Sequence, residues 1–346
     1  MPPTLPPPEV LEGLDPQALP REVLLSTRPL LLRGLVHDWP AVQAATRSPQ
    51  DAAAYLQGCW QGASVGILLG PPAIQGRFFY NDSLQGFNFE RQTGALDQVL
   101  QALMNLLAEP APPALYVGST TVDTCLPGFR AHNDLGFQAL VEPGSAAAVD
   151  PLVSVWLGNR TRIAAHFDLP DNIACVVAGH RRFTLFPPEQ LPNLYVGPLD
   201  LTPAGQAISL VDFYAPDLQR FPRFAQALEH ALVAELGPGD ALFIPSLWWH
   251  HVEALDPFNV LVNYWWRRTP AHLDSPMAAL MLALMTVRDL PAEQRRAWQG
   301  LFQHYVFDAD AQTSAHIPAA AQGSLAPMTA HSTAVLRAQL LKRLHR

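Results

Sequence analysis

The chain has 346 residues, 49% of them hydrophobic and 15% charged, which excludes a disordered protein and leaves enough apolar material for one large domain with an appendage. A formal net charge of -8 and a pI near 5.8 leave no broad basic surface to neutralise phosphates, so nucleic acid is not expected as a partner. Cys59, Cys125 and Cys175 are widely spaced and contain no CxxC pairing, which argues against both a disulfide framework and a thiolate zinc site.

The opening MPPTLPPPEV has no basic region followed by an apolar run, and the most apolar later stretch, Met277 to Val287, is too short to span a bilayer. A cytoplasmic protein with no membrane partner is therefore expected. Lys342 is the one lysine among 22 basic residues; with 34 prolines and many alanines, this points to a GC-rich bacterial genome. Residues 1 to about 20, rich in proline and without apolar periodicity, read as an extended arm ahead of the fold.

From Arg21 to Glu109, a helical pattern at Ala95 to Ala108 mixes with strand-like pieces at Pro29 to Leu35 and Ser64 to Leu69, which reads as an α/β elaboration. Between Ala114 and Trp266 short apolar and aromatic runs alternate with Gly, Pro, Asn and Asp, the pattern of an all-β sandwich or barrel. Strands are predicted at Leu152 to Leu157, Ile173 to Val177, Arg182 to Phe186, Ala241 to Ile244, Trp248 to Ala254 and Val260 to Trp265. After Pro270 the β signal stops, and Met277 to Val287, Ala292 to Tyr305 and Ser332 to Leu344 read as helices. The first of these is apolar nearly all round, so it is expected to be buried, against a second copy of the chain. The expected organisation is an arm at 1–20, a main domain at 21–270 and a helical region at 271–346.

Chemistry concentrates in two segments. In NRTRIAAHFDLPDN, His166 and Asp168 stand two apart, which at a strand end places both side chains on one face. In GPGDALFIPSLWWHHVEAL, a Gly-Pro-Gly-Asp turn launches a strand that carries His250 and His251. Two histidines and a carboxylate form the facial triad of non-haem iron(II), which leaves coordination positions open. Only one of the adjacent histidines can point inward, and the residues alone leave open which. An HxD pair by itself is common, and the chain has a second one, His132 with Asp134 in LPGFRAHNDLGF; it follows a Pro-Gly turn without a comparable strand and reads as loop. Trp248, Trp249, Trp265 and Trp266 are candidates for a dry shell or for plain core. The aromatic and amide-rich RFFYNDSLQGFNFERQ, from Arg77 to Gln92, fits either a lid or a bracing loop.

The order and spacing of PLLLRGLVHDWPAV, AAHFDLPDN with GHRRFTLFPPEQLPNLY, and GPGDALFIPSLWWHHVEAL with VNYWW resemble the JmjC or cupin-like family of iron(II)- and 2-oxoglutarate-dependent oxygenases, notably its asparaginyl hydroxylases, over Pro29 to Trp266. The resemblance implies a mainly β fold with helical additions: a double-stranded β-helix, or jelly roll, with an N-terminal elaboration and C-terminal helices. It makes His166, Asp168 and the second histidine of WWHH, His251, the iron ligands and catalytic centre, with His250 facing away. Asn172 and Asn263 then lie beside the co-substrate or metal, and Tyr116 bonds the distal carboxylate of 2-oxoglutarate. Arg181 stands where relatives place a lysine for that carboxylate, and a guanidinium can grip a carboxylate bidentately. Ile163 replaces a frequent threonine.

The activity so implied is an O2-dependent hydroxylation of a protein side chain or small molecule, by a homodimer joined through the C-terminal helices. Two other functions compete: a cupin metalloenzyme that works without 2-oxoglutarate, and a metal- or ligand-binding sensor without turnover. Histone demethylation is least expected, because zinc-finger cysteines are absent.

Overall fold

Runs of branched and aromatic residues bounded by Gly, Pro, Asn and Asp fold as strands in the computed structural model, which describes residues 5–140, 150–203 and 205–345. In chain order they are β1 (Glu9–Glu12), β2 (Leu30–Arg33), β3 (Ser64–Gly70), β4 (Arg77–Phe78), β5 (Glu90–Ala95), β6 (Ala114–Thr121), β7 (Leu152–Gly158), β8 (Arg162–His166), β9 (Asp171–Ala178), β10 (Arg181–Phe186), β11 (Leu232–Leu236), β12 (Ala241–Ile244), β13 (Trp249–Ala254) and β14 (Asn259–Trp266). Nine form a larger sheet in the order β1-β2-β12-β9-β14-β7-β6-β3-β5, and five form a smaller one in the order β11-β10-β13-β8-β4. This two-sheet, mainly antiparallel architecture is the jelly roll that the sequence resemblance implies.

Side-chain alternation divides the larger sheet between two cores. From β9, Ile173, Cys175 and Val177 point outward to helical residues such as Leu56, Leu96 and Leu103, whereas Ala174 and Val176 point inward to Phe183 and Leu185 of the smaller sheet. Both faces are covered, which is why this strand reads as a continuous apolar run, IACVVA, instead of an alternating one. Each fully buried aliphatic side chain of this kind contributes about 1.5–3 kcal/mol.

Two sequence expectations change. The proline-rich start is not an arm ahead of the fold: β1 pairs in parallel with β2, Glu9 opposite Leu30 through Glu12 opposite Arg33, and Leu19 is buried. The sheet edge offered by β2 supplies partners that local periodicity cannot reveal; residues 1–4 lie outside the described residues. The strands β4, β5, β6, β8 and β11 are likewise absent from those the sequence predicts.

The chain divides into two units, Met1–Arg267 and Arg268–Arg346. The second holds helices at Pro276–Thr286, Ala292–Phe302 and Ala330–Leu344, started by an N-cap at Ser275 and a capping box at Thr329 and Ser332. In the single chain the apolar helix has no buried residue, and the burial expected for it is against a second copy. None of the unit's described residues is buried, and Met285 is 66% exposed, because the unit's two other helices cannot surround one that is apolar on every side. Among the described residues, no helix is long and apolar enough to cross a membrane.

Candidate functional site

His166 ends β8, and the antiparallel register sets it opposite His250 of β13, with ring centroids 4.4 Å apart. Asp168 follows two residues on. Its loop is lashed to the turn before β13: the Leu247 N–H donates to the Asp168 carbonyl (2.9 Å) and the Ser246 hydroxyl to the Leu169 carbonyl (2.6 Å). One ligand atom each from His166, Asp168 and His250 lies within 4.8 Å of the others.

The protonation pattern suits a metal. His166 Nδ1 is 2.9 Å from the Ala164 carbonyl and His250 Nδ1 is 3.0 Å from the Trp248 carbonyl. A carbonyl only accepts, so each Nδ1 carries the proton and each Nε2 keeps its lone pair. Burial, reinforced by the neighbouring His166, pushes the His250 imidazole down to about 4, so it is neutral and ligand-competent near pH 7.

This arrangement corrects the choice within the histidine pair. His251 is on the opposite face of β13, its ring 4.7 Å from Phe213, and neither ring nitrogen has a hydrogen-bond partner among the described residues. The physical reason is alternation: His250 and Val252 line the cavity, while Trp249 and His251 face the other side. Glu253, which shares parity with His251, was a legible signal that this face is not the apolar interior.

The cavity measures about 420 Å³, within the usual range for small-molecule sites, and it unites His166, Asp168 and His250 with the remaining expected residues, Tyr116, Asn172, Arg181 and Asn263. Arg181 is 2% exposed; its Nε has no hydrogen-bond partner and its guanidinium no carboxylate among the described residues. Burial draws the Arg181 guanidinium below its ordinary range, an effect opposed by Tyr116, and pushes the Tyr116 hydroxyl up, which keeps it a neutral donor. Ile163, Phe78, Phe183 and Leu261 supply apolar walls.

Asp168 is oriented by two donors on one oxygen: Trp265 Nε1 lies 3.1 Å and Asn172 Nδ2 3.5 Å from Oδ2. Of the four candidate tryptophans, Trp265 is the one that lines the cavity; Trp249 and Trp266 are core, and Trp248 donates to the Thr27 carbonyl. The Arg77 to Gln92 segment is chiefly a brace, with Phe78, Phe79, Tyr80 and Phe89 buried, yet Phe78, Arg91 and Gln92 reach the cavity.

A family model described as a cupin-like domain matches residues 16–272. HSPB1-associated protein 1 of Homo sapiens is 33% identical over 150 residues, 42% of this chain and 30% of that protein. The tRNA wybutosine-synthesizing protein 5 of Danio rerio is 39% identical over 106 residues, 31% of this chain and 29% of that protein. The bifunctional peptidase and (3S)-lysyl hydroxylase JMJD7 of Homo sapiens is 27% identical over 274 residues, 71% of this chain and 79% of that protein. The alignments to the first two thus span about a third of those relatives or less.

Proposed function

The chain belongs to the cupin-like domain family, and from that premise we propose that it is an iron(II)- and 2-oxoglutarate-dependent hydroxylase. One observation carries this reading: Arg181, a buried guanidinium without an anionic partner among the described residues, opens onto the same cavity as two imidazoles and a carboxylate. An uncompensated buried cation is costly, and a bound carboxylate removes that cost. The donor set also fits a hard divalent metal with open positions.

In this proposal His166, His250 and Asp168 hold iron, and Arg181 and Tyr116 hold the distal carboxylate of 2-oxoglutarate. Trp265 and Asn172 orient Asp168, Asn263 supports Asn172 from behind, and the walls at Phe78, Ile163, Phe183 and Leu261 exclude water. When bound, the metal and co-substrate supply the oxidising chemistry, in which O2 is consumed, 2-oxoglutarate becomes succinate and CO2, and a substrate C–H bond becomes C–OH. The substrate is a protein side chain or a small molecule. A hydroxylase of lysine among the relatives supports the former, and Arg91 and Gln92 at the cavity wall supply polar contacts for either.

We further propose that the C-terminal unit joins two copies, because the unit by itself leaves Leu280, Met281, Met285, Trp298 and Leu301 exposed. Light scattering is expected to give twice the 37.9 kDa chain mass; a monomer would refute this part.

The test of activity is an anaerobic titration of apo-protein with iron(II) and then 2-oxoglutarate, followed by succinate measurement in air. A visible charge-transfer band and succinate are expected, both lost in Arg181→Met while iron affinity is kept. Metal binding with neither band nor succinate would favour cupin chemistry without 2-oxoglutarate, for which Ile163 in place of a hydroxyl residue already argues.

A further inference from the structure

Trp156 has no role in the function proposed above, yet its indole begins an ordered chain of hydrogen bonds on the inner face of the larger sheet. Nε1 donates to Asn263 Oδ1 at 2.6 Å, Asn263 Nδ2 to Asn172 Oδ1 at 3.4 Å, and Asn172 Nδ2 to Asp168 Oδ2 at 3.5 Å. The chain crosses from β7 to β14 to β9, one strand per step, and ends on the carboxylate that faces His166 and His250.

The direction of this chain follows from chemistry. An indole N–H only donates, whereas a carboxamide can present either its oxygen or its nitrogen. Trp156 therefore forces the oxygen of Asn263 toward itself and the amide nitrogen toward Asn172. Asn172 must then meet that donor with its own oxygen, which turns its NH2 toward Asp168. Asn263 is 1% and Asn172 6% exposed, so a reversed amide finds no solvent to compensate it and would set an oxygen against the Asp168 carboxylate. The last two contacts are long, so what reaches Asp168 is polarity more than bond strength.

The ring itself is fixed. It stacks on Tyr116, with centroids 6.1 Å apart and planes at 29°, and meets Trp265 edge-on at 5.7 Å. Trp265 is the other donor to Asp168 Oδ2. We propose that Trp156 is a positioning residue for the metal centre: its donor-only indole sets the orientation of Asn263 and Asn172 and, with Trp265, presents the Asp168 carboxylate to the metal. The inference rests on the metal-binding reading of His166, Asp168 and His250.

Its test uses cobalt(II) as a spectroscopic stand-in, titrated anaerobically into the full-length apo-protein. Trp156→Phe keeps the aromatic stack and removes the N–H. Outer-shell partners of metal ligands typically matter by 10–100-fold, and the long contacts place this one near the lower end, so the cobalt Kd is expected to rise about 10-fold. A changed d–d spectrum and an apo-protein melting temperature near wild type are expected with it. Asn263→Asp, which still accepts from the indole but cannot donate to Asn172, is expected to give the same loss and serves if Trp156→Phe does not fold. In an Asn172→Ala background, Trp156→Phe should have no further effect. Wild-type affinity and spectrum in both single variants, or an undiminished Trp156→Phe effect without Asn172, would overturn the proposal. A wild-type protein that binds no cobalt would overturn the metal reading itself, and this inference with it.

Discussion

His132-Asn133-Asp134 and His166-Phe167-Asp168 carry the same three-residue pattern, and their surroundings give it opposite uses. At the second, the outer two residues point into a cavity and meet His250 across β8 and β13. At the first, the middle residue is the buried one. Asn133 is 0% exposed; its Oδ1 accepts from the Ala41 N–H, its Nδ2 donates to Tyr55 Oη and to the Phe129 carbonyl, and its own carbonyl accepts from Tyr264 Oη. His132 is exposed, and Asp134 pairs with Arg130. In the proposed metal site a strand end aims both outer residues inward and another strand delivers the third candidate ligand. In the other motif the middle residue, Asn133, staples a loop to the core.

The largest contrast is in metal affinity. His166→Ala, Asp168→Ala and His250→Ala are each expected to weaken binding more than about 100-fold, well beyond an outer-shell effect, whereas His251→Ala and His132→Ala leave it within experimental error in isothermal titration with cobalt(II). Loss of binding in His251→Ala but not His250→Ala would reverse the assignment within the pair.

Stability should show the opposite pattern. Asn133→Ala strands the buried Ala41 N–H and removes the donor to Tyr55 Oη and the Phe129 carbonyl, while the Tyr264 bond to the backbone carbonyl is kept, so a loss of about 1–3 kcal/mol in urea unfolding is expected, with metal affinity kept. A change under about 0.5 kcal/mol would mean that water replaces the network.

A smaller effect separates the two histidines of β13 from the exposed loop. Burial pushes the His251 imidazole down to about 3, below its ordinary value near 6.5. The unfolded chain therefore binds more protons between those values. The stabilising contribution is complete above about pH 6.5 and is lost as pH falls toward 3. His251→Gln is expected to flatten this acid slope in the metal-free protein, measured by urea midpoints from pH 7 to 4; an unchanged slope would show that other groups set it. The smallest effect is expected for Asp123→Ala in the same loop region, whose exposed pairing with Arg130 contributes about 0–1 kcal/mol.

The sequence alone determined the local part of this design. The β-rich middle, the helical end and the HxD pair were legible because strand runs, turn residues and ligand chemistry are written in neighbouring letters, whereas Tyr116, Asn172, Arg181 and Asn263 followed only from the family resemblance. The helix at Leu96–Leu106 and the strand at Ala241–Ile244 fell where periodicity placed them. What tertiary structure alone decided depends on register. Alternation puts His250 and His251 on opposite faces, but only the pairing of His250 with His166 says which face holds the cavity, and a slip of one residue would exchange them. The same dependence hid β1, whose partner β2 lies some twenty residues away, and the Trp156 chain, whose four members come from three strands and a loop. It also governs the C-terminal helix: its apolar residues mark a need for cover, and no local pattern says which surface provides it.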